Sequence, residues 1–425
     1  MTKFFFSNKK KISIFVFLTL ILSFFLGFFL RENAAGGGPL DLGHEWKNYL
    51  LLKENFFNFL FSEKYYAGRI PIFQFIISFF DFYIHDQRKY VEIVFLFGTA
   101  VPVFFFIAIH KNFKNIEIYK KLLIAGLIFL SPYFRTSSFW GLQENLSYIF
   151  LLISIIFFNN YSKNFFYNFL SLFFSILSFY ADQKFIIFPL FYYFLIINNS
   201  KFTNERVFAT VFCLLCAIPA LIVLYYWKGP TAYWLNSKFY FNFFNFFNFI
   251  QIASIYTFPV VLIKITKNNF KFFYHIKEKN FFYYSLLVFI FYFFLVLFFE
   301  NINYKAGGGW LQKLFLLFHL KNIIFSYFFY ILLTILCFII NYIYLKISNI
   351  NIFTSLILFY FVLSSSFINP LFQEYYDPLF LIVMIFFINT KDFEKFNYKN
   401  IIFINVYYLL FLIISILYYL NYRIY

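Results

Sequence analysis

Charged residues are scarce in this chain of 425 residues. Only 12% of them are Asp, Glu, Lys or Arg, whereas about a quarter is usual in soluble domains. Apolar residues reach 63%, well above the share that a soluble domain carries. This composition excludes a soluble globular protein, and the sequence predicts an all-α polytopic membrane protein.

Cysteine is nearly absent as well. Cys213, Cys216 and Cys337 all lie inside apolar runs, which excludes a disulfide framework and gives no sign of a metal site. Cys213 and Cys216 have the CxxC spacing of some metal and redox sites, but no other metal-ligating residue is near them. Packing is therefore the better interpretation of this pair.

Apolar runs of membrane-spanning length follow one another along almost the whole chain. A transmembrane helix needs about 20 apolar residues, and the runs predict about 11–13 such helices. The first run is interpreted as a retained helix rather than a signal peptide, because it is long and has no small-residue cleavage site. The predicted spans are 12–30, 91–109, 122–134, 142–158, 165–181, 184–198, 207–227, 248–263, 281–299, 322–345, 352–368, 378–389 and 401–421.

The distribution of basic residues gives this topology an orientation. The segments assigned to the inside carry 20 of the 35 Lys and Arg residues but only five of the 18 acids. Because cytoplasmic loops are enriched in Lys and Arg, the N-terminus is predicted to be cytoplasmic. The net charge of +17 then reflects topology and indicates no nucleic-acid partner. Together with a composition typical of an AT-rich genome, this pattern favours a bacterial plasma (inner) membrane.

The same topology predicts that most carboxylates lie on the outer side. One long first loop, 31–90, is predicted there, with interfacial helices, and shorter outer loops are predicted near 135–144, 228–247, 300–321 and 369–377. Acids next to apolar spans are unfavourable unless they face a cavity or a partner, so the outer acids are candidates for function.

The stretch "DLGHEWKNY" follows the first apolar run and contains Asp41, His44 and Glu45. Asp41 and Glu45 are four residues apart and share a face if the segment is helical. A solvated loop is the alternative, since "GGGPLD" before it is also good turn and helix-capping chemistry.

Further polar stretches stand at predicted outer helix ends. "YYAGRIPIFQFIISFF" contains Arg69 and is predicted to lie in the membrane interface. Simple hairpin turns or helix starts are the alternatives for the other stretches. The candidate residues in those stretches are Arg135 and Glu144 in "SPYFRTSSFWGLQENLSYIF", Asp182, Gln183 and Lys184 in "SFYADQKFIIFP", and Glu374, Tyr376 and Asp377 in "NPLFQEYYDPLFL".

In their order, these features resemble the GT-C integral-membrane glycosyltransferases, the group that includes protein O-mannosyltransferases and lipid A aminosugar transferases. In that family an acidic motif follows the first helix, and "HEWKNYLLL" occupies this place. "YYAGRIPIFQFI", Glu144 in "LQENLSYIFLL", "ADQKFIIFP" and "QEYYDPLFL" match later family features. The family's first acid aligns with His44, so either Glu45 or Asp41 would supply the carboxylate.

The resemblance implies a single integral-membrane domain over 1–425, with a catalytic module in 1–200 and a variable transmembrane region in 201–425. It implies transfer of a sugar from a polyprenyl-phosphate donor to a hydroxyl of a glycan, lipid or protein acceptor, with inversion. Asp41 or Glu45 would be the base, with His44 as partner or alternative base. Cations such as Arg69, Arg135 and Lys184, together with Tyr376, would meet the phosphate. Some members use a divalent ion, and a site made of carboxylates suits Mg²⁺ or Mn²⁺.

Three other classes remain open from the sequence. A polysaccharide polymerase or ligase also uses lipid-linked sugars, but it generally relies on loops rich in Arg. A secondary transporter or flippase of lipid-linked sugars should have internal repeats and mid-membrane ionisable residues, and the sequence has no clear repeat. A purely structural membrane protein would not explain the ordered polar motifs.

Overall fold

The computed structural model describes residues 2–55, 58–65, 69–158, 165–200, 202–229, 241–267, 323–348, 352–367 and 371–421. Within these residues every regular element is helical, which agrees with the predicted all-α class. Clustering of contacts divides the chain into two compact units. The first contains residues 1–237 together with 408–425, and the second contains 238–407.

The first unit begins with a long helix and contains helices of very different lengths, from 7 to 28 residues. A short 3₁₀ turn, Phe59–Phe61, separates the second and third helices. Its helices are α1 (Thr2–Phe29), α2 (Gly38–Glu54), α3 (Ile72–Ser78), α4 (Gln87–Asn112), α5 (Ile118–Gly126), α6 (Pro132–Phe139), α7 (Glu144–Phe158), α8 (Phe165–Ala181), α9 (Ile187–Asn199) and α10 (Thr203–Trp227).

The second unit is built around two long helices, α11 and α12, which pack against each other. A π-helical turn, Met384–Ile388, follows the short helix α14. The last helix, α16, starts in this unit, and its residues from Tyr408 onward belong to the first. The helices are α11 (Phe243–Lys267), α12 (Ile323–Ile347), α13 (Ile352–Phe367), α14 (Leu379–Val383), α15 (Thr390–Lys395) and α16 (Tyr398–Asn421).

Six described helices are long and apolar enough to cross a membrane, or seven if one bent pair counts as a single span. This agrees with a polytopic membrane protein, while the predicted total of 11–13 stays a prediction. Several predicted spans correspond to helices of fewer than 18 residues, including α7, α8 and α13. The six are Asn8–Phe29, Gln87–Asn112, Thr203–Trp227, Asn245–Thr266, Phe329–Ile347 and Tyr398–Leu420.

One predicted span, 122–134, is not a straight helix. The chain bends by 66° between Ile118–Leu130 and Pro132–Phe139. Ser131 caps the new helix by accepting a hydrogen bond from the Phe134 N–H at 3.0 Å, and Pro132 stands in its first turn. A serine cap followed by proline is a strong local start signal, and it overrides the continuous apolar run.

The predicted long loop 31–90 contains two short helices, as expected for segments that do not cross a membrane. Buried side chains on α2 and α3 form one hydrophobic cluster with α4, including Leu42, Tyr49, Phe73, Ile77 and Tyr90. This packing fixes α2 and α3 on the beginning of α4. The predicted span 281–299, the outer loop 300–321 and most of the loop 228–247 lie outside the described residues.

Candidate active site

Two glycines turn the chain between α1 and α2. Gly36 and Gly37 have φ of +75° and +74°, a conformation that glycine adopts without strain. Helix α2 then starts at Gly38 with proline in its first turn. Asp41 lies in that first turn and Glu45 one turn later. The predicted helical arrangement of the two acids is therefore confirmed, and both side chains point to the same side of α2.

Arg69 and Glu144 interact electrostatically with both Asp41 and Glu45, and Asp182 and Lys184 join this group through Arg69. Arg69, just before α3, forms an ion pair with Glu144 at the start of α7. The same Arg69 nitrogen lies 4.0 Å from Asp182 Oδ2, and Lys184 Nζ lies 3.2 Å from that oxygen. We call Asp41, Glu45, Arg69, Glu144, Asp182 and Lys184 the charged cluster. The structure thus brings together six of the predicted site residues from four separate stretches.

Burial distinguishes the two acids of α2. Glu45 is 8% exposed, and burial raises its pKa to about 8, since Arg69 only partly offsets the loss of water and the nearby Glu144 and Asp41 raise it further. Asp41 is more accessible. Its pKa is raised to about 6, first by burial and then by Glu144, with Arg69 acting in the opposite direction. At pH 7 Asp41 is mostly ionised and Glu45 mostly protonated.

Gln74 on α3 is a member of the site that the sequence reasoning missed. Its Nε2 donates a hydrogen bond to Glu45 Oε2 at 2.7 Å, and the side chain is fully buried. The signal was available, because Gln74 is the polar residue of the apolar run "PIFQFIISFF". Gln74 Oε1 and Glu144 Oε2 are buried without a hydrogen-bond partner, so the described site keeps two acceptor atoms open to a ligand.

Lys184 is held between an acid and three aromatic rings. Its ammonium lies 5.8 Å from the ring of Tyr133 and 5.6 Å from the rings of both Tyr148 and Phe185. A cation over aromatic faces at this distance is stabilised by the ring electrons. Burial by itself raises the pKa of Asp182, but Lys184 and Arg69 outweigh it and hold that pKa below its usual value. The Asp182 carboxylate therefore stays ionised.

Arg135 was predicted to meet the substrate, and the structure places it in a different buried pair. Its Nε and Nη2 each donate to one carboxylate oxygen of Glu32 at 2.6 Å, and Nη2 also donates to the Ser23 carbonyl at 2.9 Å. Arg135 is 2% exposed. This bidentate ion pair joins α6 to the end of α1. Glu32, its partner, is a second residue that the sequence reasoning missed, because no local pattern connects positions 32 and 135.

His44 and Gln183 stand at the edge of the cluster. Both are partly exposed. Burial and then the charge of Lys47 lower the pKa of His44, so its imidazole is neutral at pH 7. Gln183 opens the 3₁₀ turn that carries Lys184, and its carbonyl accepts a hydrogen bond from the Ile186 N–H at 3.2 Å.

The remaining predicted residues belong to the second unit. Tyr376 is buried, and its ring lies 4.9 Å from that of Phe249 on α11. Asp377 is also buried and precedes Pro378, with a cis peptide bond between them. Glu374 is partly exposed in a 3₁₀ turn. Within their own unit these residues form the entrance to α14, as predicted for this stretch.

The divalent ion implied by the resemblance does not fit the described residues. No three of their His, Cys, Asp and Glu side chains are arranged to hold a metal ion. Arg69 approaches the carboxylates of both Glu144 and Asp182, and Lys184 pairs with Asp182. The cluster supplies its own positive charge where an ion would otherwise lie.

No protein-family model, no curated protein and no solved structure matches this chain.

Proposed function

We propose that this protein is a membrane glycosyltransferase. It would transfer a sugar from a polyprenyl-phosphate donor to an acceptor hydroxyl at the outer face of the plasma membrane, with inversion at the anomeric carbon. The observation that carries the proposal is the charged cluster, in which four carboxylates, among them Asp41 with a pKa of about 6 and Glu45 with a pKa of about 8, lie together with two cations beside the apolar helices. Ionisable groups with shifted pKa values at such a place are typical of catalytic sites.

Asp41 is the proposed base. A base must be ionised at working pH and reachable by the acceptor, and Asp41 meets both conditions with a pKa of about 6 and partial exposure. Glu45 meets neither, because it is buried and its pKa is about 8. We assign Glu45 the role of a positioning residue, which joins α2 to α3 through its hydrogen bond with Gln74.

The proposed reaction is a single displacement. The acceptor oxygen attacks the anomeric carbon while its proton passes to the Asp41 carboxylate. The bond between that carbon and the phosphate oxygen breaks, and the polyprenyl phosphate leaves with the electron pair. No general acid is needed, since phosphate is already a good leaving group. Its charge would be met by Arg69 and Lys184, which are fixed in place by Glu144, Asp182 and the aromatic rings.

The proposed topology places the cluster outside. Its support is the concentration of basic residues in the segments assigned to the inside. Reporter fusions at Lys53 and Lys114 test it, and we expect the two fusions to report opposite compartments. If both report the same compartment, the orientation is wrong and the donor must be sought on the other side.

The deciding experiment measures sugar transfer from a panel of radiolabelled polyprenyl-phosphate sugars in membranes that contain the protein. We expect one donor to be consumed, and Asp41→Asn to reduce turnover at least about 100-fold without loss of donor binding. Glu45→Gln should reduce it less. Asp86→Asn is the matched control, because Asp86 caps α4 and is not part of the charged cluster. Full turnover in Asp41→Asn would exclude this mechanism.

A further inference from the structure

The turn that leads into α2 is enclosed by two distant parts of the first unit. On one side α6 contacts it: the Ala35 N–H donates to Thr136 Oγ1 at 2.9 Å, and Trp140 Nε1 donates to the Glu32 carbonyl at 2.8 Å. On the other side the end of α16 contacts it. Ser415 Oγ donates to the Ala34 carbonyl at 2.5 Å, across 381 positions of sequence.

The contact with α16 is close as well as polar. A methyl group at Gly36 would lie 2.3 Å from Tyr419 Cε1, so the ring lies directly on the glycine. Ser415 and Tyr419 are four residues apart and share a face of α16. On the opposite face the apolar side chain of Leu417 is 55% exposed. The face of α16 with Ser415 and Tyr419 therefore contacts the turn, whereas the face with Leu417 points away from it.

The turn is separated from Asp41 by very little chain. Helix α2 begins at Gly38, and the Asp41 N–H donates to the Gly37 carbonyl at 3.2 Å. Three residues of helix rise only about 4.5 Å, so a shift of the turn moves the Asp41 carboxylate almost directly. At the other end of the same face, Glu45 is held by Gln74. The carboxylate pair is thus fixed from both directions.

We infer that Ser415 and Tyr419, at the end of α16, are positioning residues that hold the 34–37 turn and thereby the Asp41 carboxylate in its reacting position. Their role in transfer rests on the proposed function, whereas their effect on α2 does not. Helix α16 thus takes part in a site whose other residues come from the first half of the chain. A misplacement of about 1 Å is enough to slow a reaction about 100-fold, so a modest loosening of the turn should be measurable.

The first test needs no substrate. It measures amide hydrogen exchange over residues 38–45 in the full-length protein purified in detergent. We expect Tyr419→Ala to speed that exchange about 10-fold or more, and Ser415→Ala to do so by a smaller factor. Tyr419→Phe keeps the ring, and Leu417→Ala changes the opposite face, so both should exchange like wild type. Exchange in α11 serves as the folding control.

Unchanged exchange over 38–45 in both Tyr419→Ala and Ser415→Ala would overturn the inference. If Tyr419→Ala also speeds exchange in α11, that variant is unfolding globally. The exchange of Ser415→Ala over residues 38–45 then tests the inference in its place. Gly36→Ala provides an independent check from the other side of the contact, and the Gly36→Ala/Tyr419→Ala double variant should recover part of its loss, because the clash is then removed while the unfavourable φ remains.

The second test follows transfer against pH. Asp41 faces Glu45 on its own helix, Arg69 before α3 and Glu144 on α7. If α2 loosens in Tyr419→Ala, the Asp41 carboxylate becomes more hydrated. The pH at which kcat falls on the acidic side should then move from near 6 toward the ordinary carboxylate range. A variant that only lowers the amount of folded enzyme keeps that limb in place, which contradicts a positioning role. If wild type transfers no sugar, the proposed function fails, and the exchange test still decides the inference.

Discussion

The polar groups inside the two units are arranged differently. The first unit contains the charged cluster, with Asp41, Glu45, Arg69 and Glu144 close together. In the second unit several of the described contacts between α11 and α12 are made by neutral amides and hydroxyls. Gln251 Nε2 donates to Thr334 Oγ1 at 2.7 Å, Tyr330 to Asn248 Oδ1 at 2.8 Å, and Thr257 to Asn341 Oδ1 at 3.0 Å.

Under the proposed function, this difference separates polar groups that hold helices together from the charged cluster, where the reaction is proposed. Neutral pairs between apolar helices satisfy each other at little electrostatic cost and act as interhelical contacts. Ions beside apolar helices are unfavourable and persist where they have a function. Glu144 of the charged cluster and the neighbouring Gln74 also each keep one buried acceptor atom without a hydrogen-bond partner. The first unit is therefore where we place the reaction, and the second unit is where we place structural packing.

The largest effect should come from breaking the charged cluster. Arg69→Met leaves Glu144 and Asp182 buried with less positive charge, and removing one partner of a buried ion pair costs about 3–5 kcal/mol. We expect about 3 kcal/mol, because Arg69 is a quarter exposed and Lys184 still faces Asp182. The free energy of unfolding in detergent is the measurement.

Arg88→Met is the control for this substitution. Arg88 pairs with Glu92 at 3.5 Å but is 81% exposed, and exposed pairs contribute little. If Arg69→Met proves as stable as Arg88→Met, the cluster does not hold its elements together, and the contrast between the units loses its main support.

A smaller effect is expected from pH. The pKa of Glu45 in the folded protein is about 8 against an ordinary value of 4.5. Because the folded pKa is raised, this group favours folding below pH 4.5 and progressively less as the pH rises to 8. Between pH 6.5 and 8 we expect wild type to lose on the order of 1–2 kcal/mol of unfolding free energy from Glu45.

Glu45→Gln should remove most of that dependence, since the amide does not ionise. The comparison is the unfolding free energy of wild type and variant at pH 6.5 and at pH 8. Glu63→Gln, at an exposed position of the same loop, should behave like wild type. If the unfolding free energy depends equally on pH in wild type and Glu45→Gln, Glu45 is ionised in the folded protein. Its assignment as the neutral partner of Asp41 would then be wrong.

The smallest effect should come from the second unit. Thr334→Val removes the hydroxyl that Gln251 contacts and keeps the side-chain shape. Hydrogen bonds between membrane helices contribute about 0.6 kcal/mol on average, so we expect a loss near that value in unfolding free energy and unchanged sugar transfer. A loss comparable to that of Arg69→Met, or a loss of transfer, would contradict the division between the units.

Local features of the fold follow from the sequence closely. The run predicted at 165–181 is the helix Phe165–Ala181, and Glu144 stands at a helix start as expected. The length of an apolar run and the positions of proline and glycine determine structure within a few residues, so such features can be predicted from the sequence. The predicted span 122–134 bends at Ser131 for the same kind of reason, since a local helix start signal interrupts the apolar run there.

The pairing of charges could not be predicted in this way. The sequence supplied acids and bases near helix ends, and it favoured Arg135 and Arg69 equally as partners of a substrate. Only the packing of α1, α6 and α7 determines that Arg135 pairs with Glu32, whereas Arg69 pairs with Glu144. An ion pair depends on distances of a few ångströms between residues about 75 to 100 positions apart, and no local pattern encodes those distances.

By itself, the sequence determined that this is a helical membrane protein with polar residues concentrated at helix ends, because hydropathy and helix-end chemistry are properties of short segments. The tertiary structure alone decided which acid stays ionised, since burial and neighbouring charges set the pKa values of Asp41 and Glu45. It also decided that Ser415 reaches Ala34, because a contact across 381 positions exists only once the helices have packed.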